Sequence, residues 1–217
     1  GGQYESEIKS ILFENKIREK FPKEVLEEVK KIEKEEKGEQ KRTDYREENV
    51  FTIDPRSAKD FDDAISFKKE KEGNVKIGVH IADVTNYIKP GTALDKEAYK
   101  RGTSIYLPDR VVPMLPEKIS NELCSLNPGE EKKTFSFIFK VTPKGEIKNG
   151  RFEKTLIKSK RRFSYEEIQF LLEKKGKIIP KETSLSKKAE KVEKEIIEAI
   201  HELRKFTKAR RKKILKQ

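Results

Sequence analysis

The apolar residues of this chain are not spread along it. They gather into short alternating runs in the middle, between two ends dense in charge. Val75, Ile77, Val79 and Ile81 alternate with smaller or polar residues, and so do Phe135, Phe137, Phe139 and Val141. A period of two is that of a strand with one buried face. The middle of the chain therefore folds around a sheet, and the ends must be helices or loops whose charges stay in water. The concentration matters because 41% of the 217 residues are charged and only 33% are apolar, with a mean hydropathy of −0.89. Spread evenly, such a composition would suit a disordered chain. Gathered as it is, it fits one folded segment with helical, charged flanks.

Val50, Phe51, Thr52 and Ile53 are strand-prone and end at Asp54-Pro55, where the residue before proline is pushed to extended geometry. A second strand runs over 64–67. The turn Glu72-Gly73-Asn74 joins it to the Val75–Ile81 run as a hairpin, with His80 on the face opposite the aliphatics. Pro143-Lys144-Gly145 turns the phenylalanine strand into a partner through Phe152 and Leu156. Pro22 suits the first turn of a helix with Val25, Leu26, Val29 and Ile32 on one stripe. Asp95 is expected to cap a short helix over 96–101 that ends at Gly102, and another short helix is expected over 119–126. Ser164 and Glu167 form a capping box. Ala189, Val192, Ile196, Ala199, Ile200, Leu203 and Phe206 make a helical stripe near the end. Residues 1–19 read as tail and linker, and 33–48 as a helix end and loop. This order predicts an α+β fold: an antiparallel or mixed sheet with short helices, flanked by N- and C-terminal charged helices.

Several function classes are excluded. No run approaches the roughly 18 consecutive apolar residues of a membrane span. No apolar secretory core follows the start. A single cysteine, Cys124, rules out an internal disulfide and a four-cysteine zinc site, and two histidines, His80 and His201, argue against a zinc enzyme. A reducing, cytoplasmic setting is expected. The net charge is 51 − 39 = +12, and the stretch from Lys187 to Gln217 holds 12 basic against 5 acidic residues. Such an excess favours polyanions such as nucleic acid, although a solvated helix face also accounts for it. The basic run from Arg204 to Lys216 could track an RNA backbone, or its charges could serve the end of a helix dipole.

The sharpest chemistry lies in an acidic cluster. Asp54, Asp60, Asp62 and Asp63 fall within ten positions beside strand-like apolar residues. On a strand Asp60 and Asp62 share a face; on a helix Asp60 and Asp63 do. Neither form gathers all four, so convergence needs a loop that doubles back, which Pro55 and Ser57 permit. Two such charges about 4 Å apart repel by roughly 4 kcal/mol at an effective dielectric near 20. A convergent cluster must therefore hold protons or a cation, and all-oxygen ligands favour Mg²⁺, with Mn²⁺ as the alternative. Such an ion polarises a phosphate and activates water, the chemistry of a metal-dependent nuclease. The competing reading is a solvated acidic turn. The spacing does not fit a calcium-binding EF-hand, a phosphatase loop would need Thr where Ala64 stands, and no phosphate-binding glycine-rich loop exists.

The string Thr52-Ile53-Asp54-Pro55, followed by Ala58-Lys59-Asp60-Phe61-Asp62-Asp63-Ala64-Ile65, resembles the signature of the RNB family, the exoribonucleases of the ribonuclease R and ribonuclease II type. The resemblance continues through Val79-His80-Ile81-Ala82-Asp83-Val84, Arg101-Gly102-Thr103-Ser104-Ile105-Tyr106-Leu107-Pro108, Val112-Pro113-Met114-Leu115-Pro116 and Leu123-Cys124-Ser125-Leu126-Asn127-Pro128, and is nearer ribonuclease R. It implies processive, hydrolytic 3′→5′ degradation of single-stranded RNA to nucleoside 5′-monophosphates with Mg²⁺. It puts Asp54, Asp60, Asp62 and Asp63 in an acidic metal site, with Asp62 the aspartate whose loss is most damaging. Tyr106 matches the tyrosine that packs against the 3′-terminal nucleotides. On the residues alone the default reading of Tyr106 is an ordinary packed tyrosine. Asp83 reads as a supporting partner of the site or a strand-end cap, His80 as a packed strand residue, Cys124 as a small buried one. Arg101 and Arg110 read as phosphate contacts or ion-paired surface groups.

The resemblance divides the chain into a linker and charged helix over 1–48 and the N-terminal portion of an incomplete RNB-type catalytic domain over 49–217. The family's later His-Phe-Thr-Ser-Pro motif, with the arginine that acts at the scissile phosphate, has no counterpart after His80 or His201. The expectation is a truncated chain or one part of a split enzyme, in which a second polypeptide carries the remainder. The alternative is a non-catalytic RNA-binding or scaffold fragment of the same fold.

Overall fold

The structure is a computed structural model that describes residues 2–34, 41–174 and 176–215. The helices are α1 (Gly2–Glu14), α2 (Lys23–Lys34), α3 (Ala93–Arg101), α4 (Tyr165–Lys174) and α5 (Lys194–Ile214). The strands are β1 (Thr43–Tyr45), β2 (Val50–Asp54), β3 (Asp63–Lys69), β4 (Val75–Ala82), β5 (Ile105–Tyr106), β6 (Val111–Val112), β7 (Glu131–Val141), β8 (Ile147–Lys158), β9 (Arg161–Ser164), β10 (Ile178–Ile179) and β11 (Glu190–Lys191). They form two units, Gly1–Glu39 with Val84–Leu123, and Gln40–Asp83 with Cys124–Gln217.

The larger unit is built on a seven-stranded mixed sheet in the order β1-β8-β7-β4-β3-β2-β9. The pairs β1–β8 and β2–β9 are parallel, and the other four are antiparallel. The α+β class expected from the sequence is the one observed. Both expected hairpins form, β3–β4 and β7–β8, and Gly145 supplies the positive φ of 75° in the turn of the second. The capping box is present: the Ser164 N–H donates to Glu167 Oε2 at 2.9 Å, and the Glu167 N–H donates to Ser164 Oγ at 3.2 Å. One face of the sheet is apolar. Phe67, Ile77, Phe139 and Val141 pack there with Leu171 of α4 and Ile196, Ala199 and Ile200 of α5.

The other face carries a buried polar layer around His80, which is fully enclosed. Its Nδ1 lies 2.7 Å from Ser136 Oγ on β7 and its Nε2 lies 2.8 Å from Ser66 Oγ on β3. Thr155 Oγ1 continues the layer at 2.6 Å from Ser136 Oγ, and Thr134 Oγ1 lies 2.5 Å from Thr155 Oγ1. Only a residue without a side chain fits at position 78, because a Cβ there would come within 2.6 Å of His80 Nε2. At the end of β4, Asp83 accepts from Arg42 Nη2 at 2.6 Å, in an ion pair shut away from solvent.

The smaller unit holds α1 to α3, the β5–β6 ribbon and a π-helical segment, Lys118–Leu123. Ile8 and Leu12 of α1 pack with Val112 of β6. Residues 1–19, read as tail and linker, thus contain a packed helix, and 33–48 contain β1. Residues 35–40 of that second stretch lie outside those described. Helix α3 starts earlier than expected because Thr92, not Asp95, is its cap: Thr92 Oγ1 accepts from the Asp95 N–H at 3.3 Å. Gly102 ends it at φ 73°, as expected. The second short helix is π-helical and ends at Leu123, three residues early. On α2, Val25, Val29 and Ile32 are buried, whereas Leu26 is exposed. Among the described residues no helix is long and apolar enough to cross a membrane.

Burial holds the His80 pKa down at about 4, against 6.5 when exposed. The folded state thus binds fewer protons than the unfolded one between those two values, so stability present above pH 6.5 falls away as the pH drops toward 4. Urea unfolding at pH 7 and pH 4 should show the chain losing about 3 kcal/mol more than a His80→Gln variant over that interval.

Candidate active site

The four aspartates occupy the β2–β3 connection and its two ends, and every element of that connection is tied down from a distance. Asp54 closes β2, which pairs in parallel with β9 so that Thr52 stands opposite Arg162. Arg162 reaches across the loop: its Nη2 donates to the carbonyls of Pro55 and Arg56 at 2.9 Å each and of Ala58 at 3.2 Å. Its guanidinium also lies over the Phe61 ring, 4.8 Å from the centroid. Phe61 is a buried apolar anchor between Asp60 and Asp62. Its N–H donates to Ser125 Oγ at 3.0 Å, its carbonyl accepts from the Leu126 N–H at 2.9 Å, and Ser125 Oγ donates to the Lys59 carbonyl at 3.2 Å. The Ala82 N–H donates to the Asp62 carbonyl at 2.9 Å, which joins the loop end to β4. Arg56 is held in turn by the carbonyls of Thr183, at 2.6 Å, and Ser184.

The loop that doubles back, which the sequence required for convergence, is therefore present. It brings all four carboxylates within electrostatic range. Asp54 is buried, and desolvation, with the charges of Asp63 and Asp60, raises its pKa; Thr52 and Arg162 oppose that rise only in part. Asp62 is raised as well, by desolvation first and then by Asp60, Asp63 and Asp54. Asp54 Oδ2 is buried and has no hydrogen-bond partner among the described residues. A buried carboxylate oxygen without a donor is costly. The set is all oxygen and acidic, so its chemistry fits a hard divalent cation. It is gathered but not closed: among the described residues no three His, Cys, Asp or Glu side chains are arranged to hold a metal ion.

The remaining sequence candidates fall elsewhere. Tyr106 is in the smaller unit, on β5, with 72% of its surface exposed. Its ring is thus not the packed core residue that the sequence alone allowed. Asp83 is committed to Arg42, and Cys124 is buried. Arg101 pairs with Glu97 at 3.0 Å, lies over the Phe21 ring and donates to the carbonyls of Pro113 and Lys20, so it is a packing group. Arg110 pairs with Glu5, Asp109 and Glu19. Of the residues that shape the acidic loop, Phe61 and Ser125 stand inside the signature blocks with no role that the sequence assigns them, and Arg162 stands outside the blocks; their partners lie roughly 65 to 107 residues away.

Residues 42–217 match the family model described as RNB domain. The chain belongs to the RNB family. It is 43% identical over 168 residues to ribonuclease R 1 of Lactococcus lactis, an alignment covering 76% of this chain and 21% of that protein. It resembles Mycoplasma genitalium RNase R, solved in complex with ribose-methylated single-stranded RNA, at 35% identity and a TM-score of 0.73 over 83% of this chain and 28% of that one. Yeast Ssd1, a pseudonuclease, is similar at 27% identity and a TM-score of 0.57 over 60% of this chain and 16% of that one. The chain spans about a fifth to a quarter of the ribonuclease R relatives it matches.

Replacing Arg162 with Met keeps the apolar stem and removes three donated bonds. Hydrogen exchange of the amides at 56–62 should then quicken about tenfold or more, while the strands β4 and β7 keep their protection.

Proposed function

We propose that this chain supplies the acidic part of the site of a hydrolytic 3′→5′ exoribonuclease acting on single-stranded RNA. The observation that carries the reading is the doubled-back loop that crowds Asp54, Asp60, Asp62 and Asp63 together and leaves Asp54 Oδ2 buried without a donor. Similarity to ribonuclease R over three quarters of the chain supports the substrate class. In this reading the four carboxylates would hold Mg²⁺ once drawn together by it, with Mn²⁺ suited to the same donor set. A divalent ion held there would polarise the scissile phosphate and lower the pKa of the attacking water. The carboxylates themselves would place that ion beside the terminal phosphodiester, which bare carboxylates would repel. Water adds at phosphorus, the bond to the 3′-oxygen of the preceding nucleotide breaks, and a nucleoside 5′-monophosphate leaves. The exposed ring of Tyr106 offers a face for a 3′-terminal base, a contact indifferent to base identity and so suited to processive degradation.

The cationic group that stabilises charge on the phosphate in the transition state is assigned to the remainder of the enzyme, carried by further polypeptide. Loss of one such donor typically costs about 100–1,000-fold in rate. A reducing, cytoplasmic setting agrees with the single buried thiol. A second reading, a non-catalytic RNA-binding or scaffold fragment, is favoured by the absence, among the described residues, of a closed metal-ligating group and by the likeness to a pseudonuclease.

Decay of a 5′-labelled single-stranded RNA separates the two readings. The enzymatic one expects ladder-like shortening with Mg²⁺, lost in Asp62→Asn and in EDTA. The metal site is tested separately by unfolding. Mg²⁺ should raise the midpoint of the unaltered chain and leave that of Asp62→Asn unmoved, while in EDTA the variant is the more stable of the two because one repelling charge is gone. Binding of RNA with neither decay nor a Mg²⁺-dependent midpoint would establish the scaffold reading.

A further inference from the structure

The apolar face of the sheet is covered along only part of its length. Helices α4 and α5 close it around Phe67, Ile77 and Val141, and Phe206 of α5 reaches Phe139 at 6.4 Å between ring centroids. Toward the opposite ends of β4 and β7 the same face carries Ile81, Phe135 and Phe152, which are 47%, 46% and 70% exposed. The rings there form one surface. Phe152 lies 4.7 Å from Phe137, and Phe135 and Phe152 are within 9° of parallel at 6.0 Å. Gly150 makes room for it, because a Cβ at that position would come within 2.6 Å of the Phe137 ring.

Register ties this surface to the acidic loop. Asp63 is paired with Ile81, Ile81 with Phe135, and Phe135 with Lys154. Directly paired residues project from one face. A row therefore crosses four strands, from a carboxylate of the candidate site, over an aliphatic and an aromatic side chain, to an exposed lysine. At ~4.8 Å per strand the row is about 14 Å long. Lys154 makes no ion pair among the described residues. Rings in the middle and a cation at one end match the base and the phosphate of a nucleic-acid strand, and the other end of the row stops at the acidic loop.

We propose that Phe135, Phe137 and Phe152 form a base-stacking platform for single-stranded RNA, with Lys154 as its phosphate contact, leading the strand to Asp63. This rests on the RNA-directed reading above and adds the surface that holds the substrate outside the acidic loop. Stacking on rings without hydrogen-bond readout accepts any base.

The test is fluorescence anisotropy of a fluorescein-labelled oligoadenylate with the full chain in EDTA, where no hydrolysis intervenes. Phe152→Ala and Phe135→Ala should each weaken binding about fivefold to a hundredfold without changing its salt dependence. Lys154→Ala should reduce the slope of log K against log salt by about 0.7. Phe13→Ala, in an exposed ring of α1, should change neither quantity. No binding by the unaltered chain would overturn the RNA reading itself. Binding unaffected by Phe135→Ala and Phe152→Ala would overturn the platform alone. Loss of self-association on gel filtration in those variants, with RNA affinity intact, would also overturn it and make the face a protein-docking surface.

Discussion

His80 holds three strands in one register. Its two ring nitrogens meet Ser66 on β3 and Ser136 on β7, and one nitrogen must donate while the other accepts. A slip of one residue on either neighbour would leave a buried imidazole nitrogen unpaired and turn that strand's apolar set to the wrong face. The rest of the larger unit depends on this alignment. It sets which residue of β3 stands beside Ile81 and where the chain leaves β4 for the Arg42–Asp83 ion pair. The same layer makes the fold sensitive to acid, since a fully enclosed imidazole has no room for the hydration that a charge requires.

The acidic loop uses that frame from the other side. Repulsion among Asp54, Asp60, Asp62 and Asp63 works against its closure, and the loop has no regular structure of its own to oppose it. The opposing forces are the three carbonyls gripped by Arg162, the burial of Phe61 and the two bonds of Ser125. An arginine in this place serves twice, because it neutralises part of the acidic field while its fork binds backbone oxygens. The arrangement resembles a charged spring held shut.

A sheet face closed at one end and open at the other gives the larger unit two kinds of apolar surface. Under α4 and α5 the phenylalanines are core. Past the reach of Phe206 they are surface, and there the strand register brings them into line with Asp63. Chemically similar residues thus take different roles according to what the helices cover.

By itself the sequence determined the fold class, the two hairpins, the capping box and the acidic signature, because each is encoded within a few residues. Alternation, turn glycines, the Ser164–Glu167 pair and the Asp54-to-Asp63 spacing are all local. It also kept His80 and Cys124 inside. It did not show the helix at 2–14, whose apolar positions are few and whose packing partner is Val112, far along the chain. Nor did it show β1, three residues long in a run of charge and formed only by pairing with β8. Of the candidate site, the aspartates were legible and their scaffold was not. Arg162 looks like any surface arginine until the parallel pairing of β2 with β9 puts it across the loop, and Ser125 looks like any serine until Phe61 lies beside it. Only the tertiary structure decided these things, because long-range pairing joins residues whose identity carries no mark of the partner they will meet.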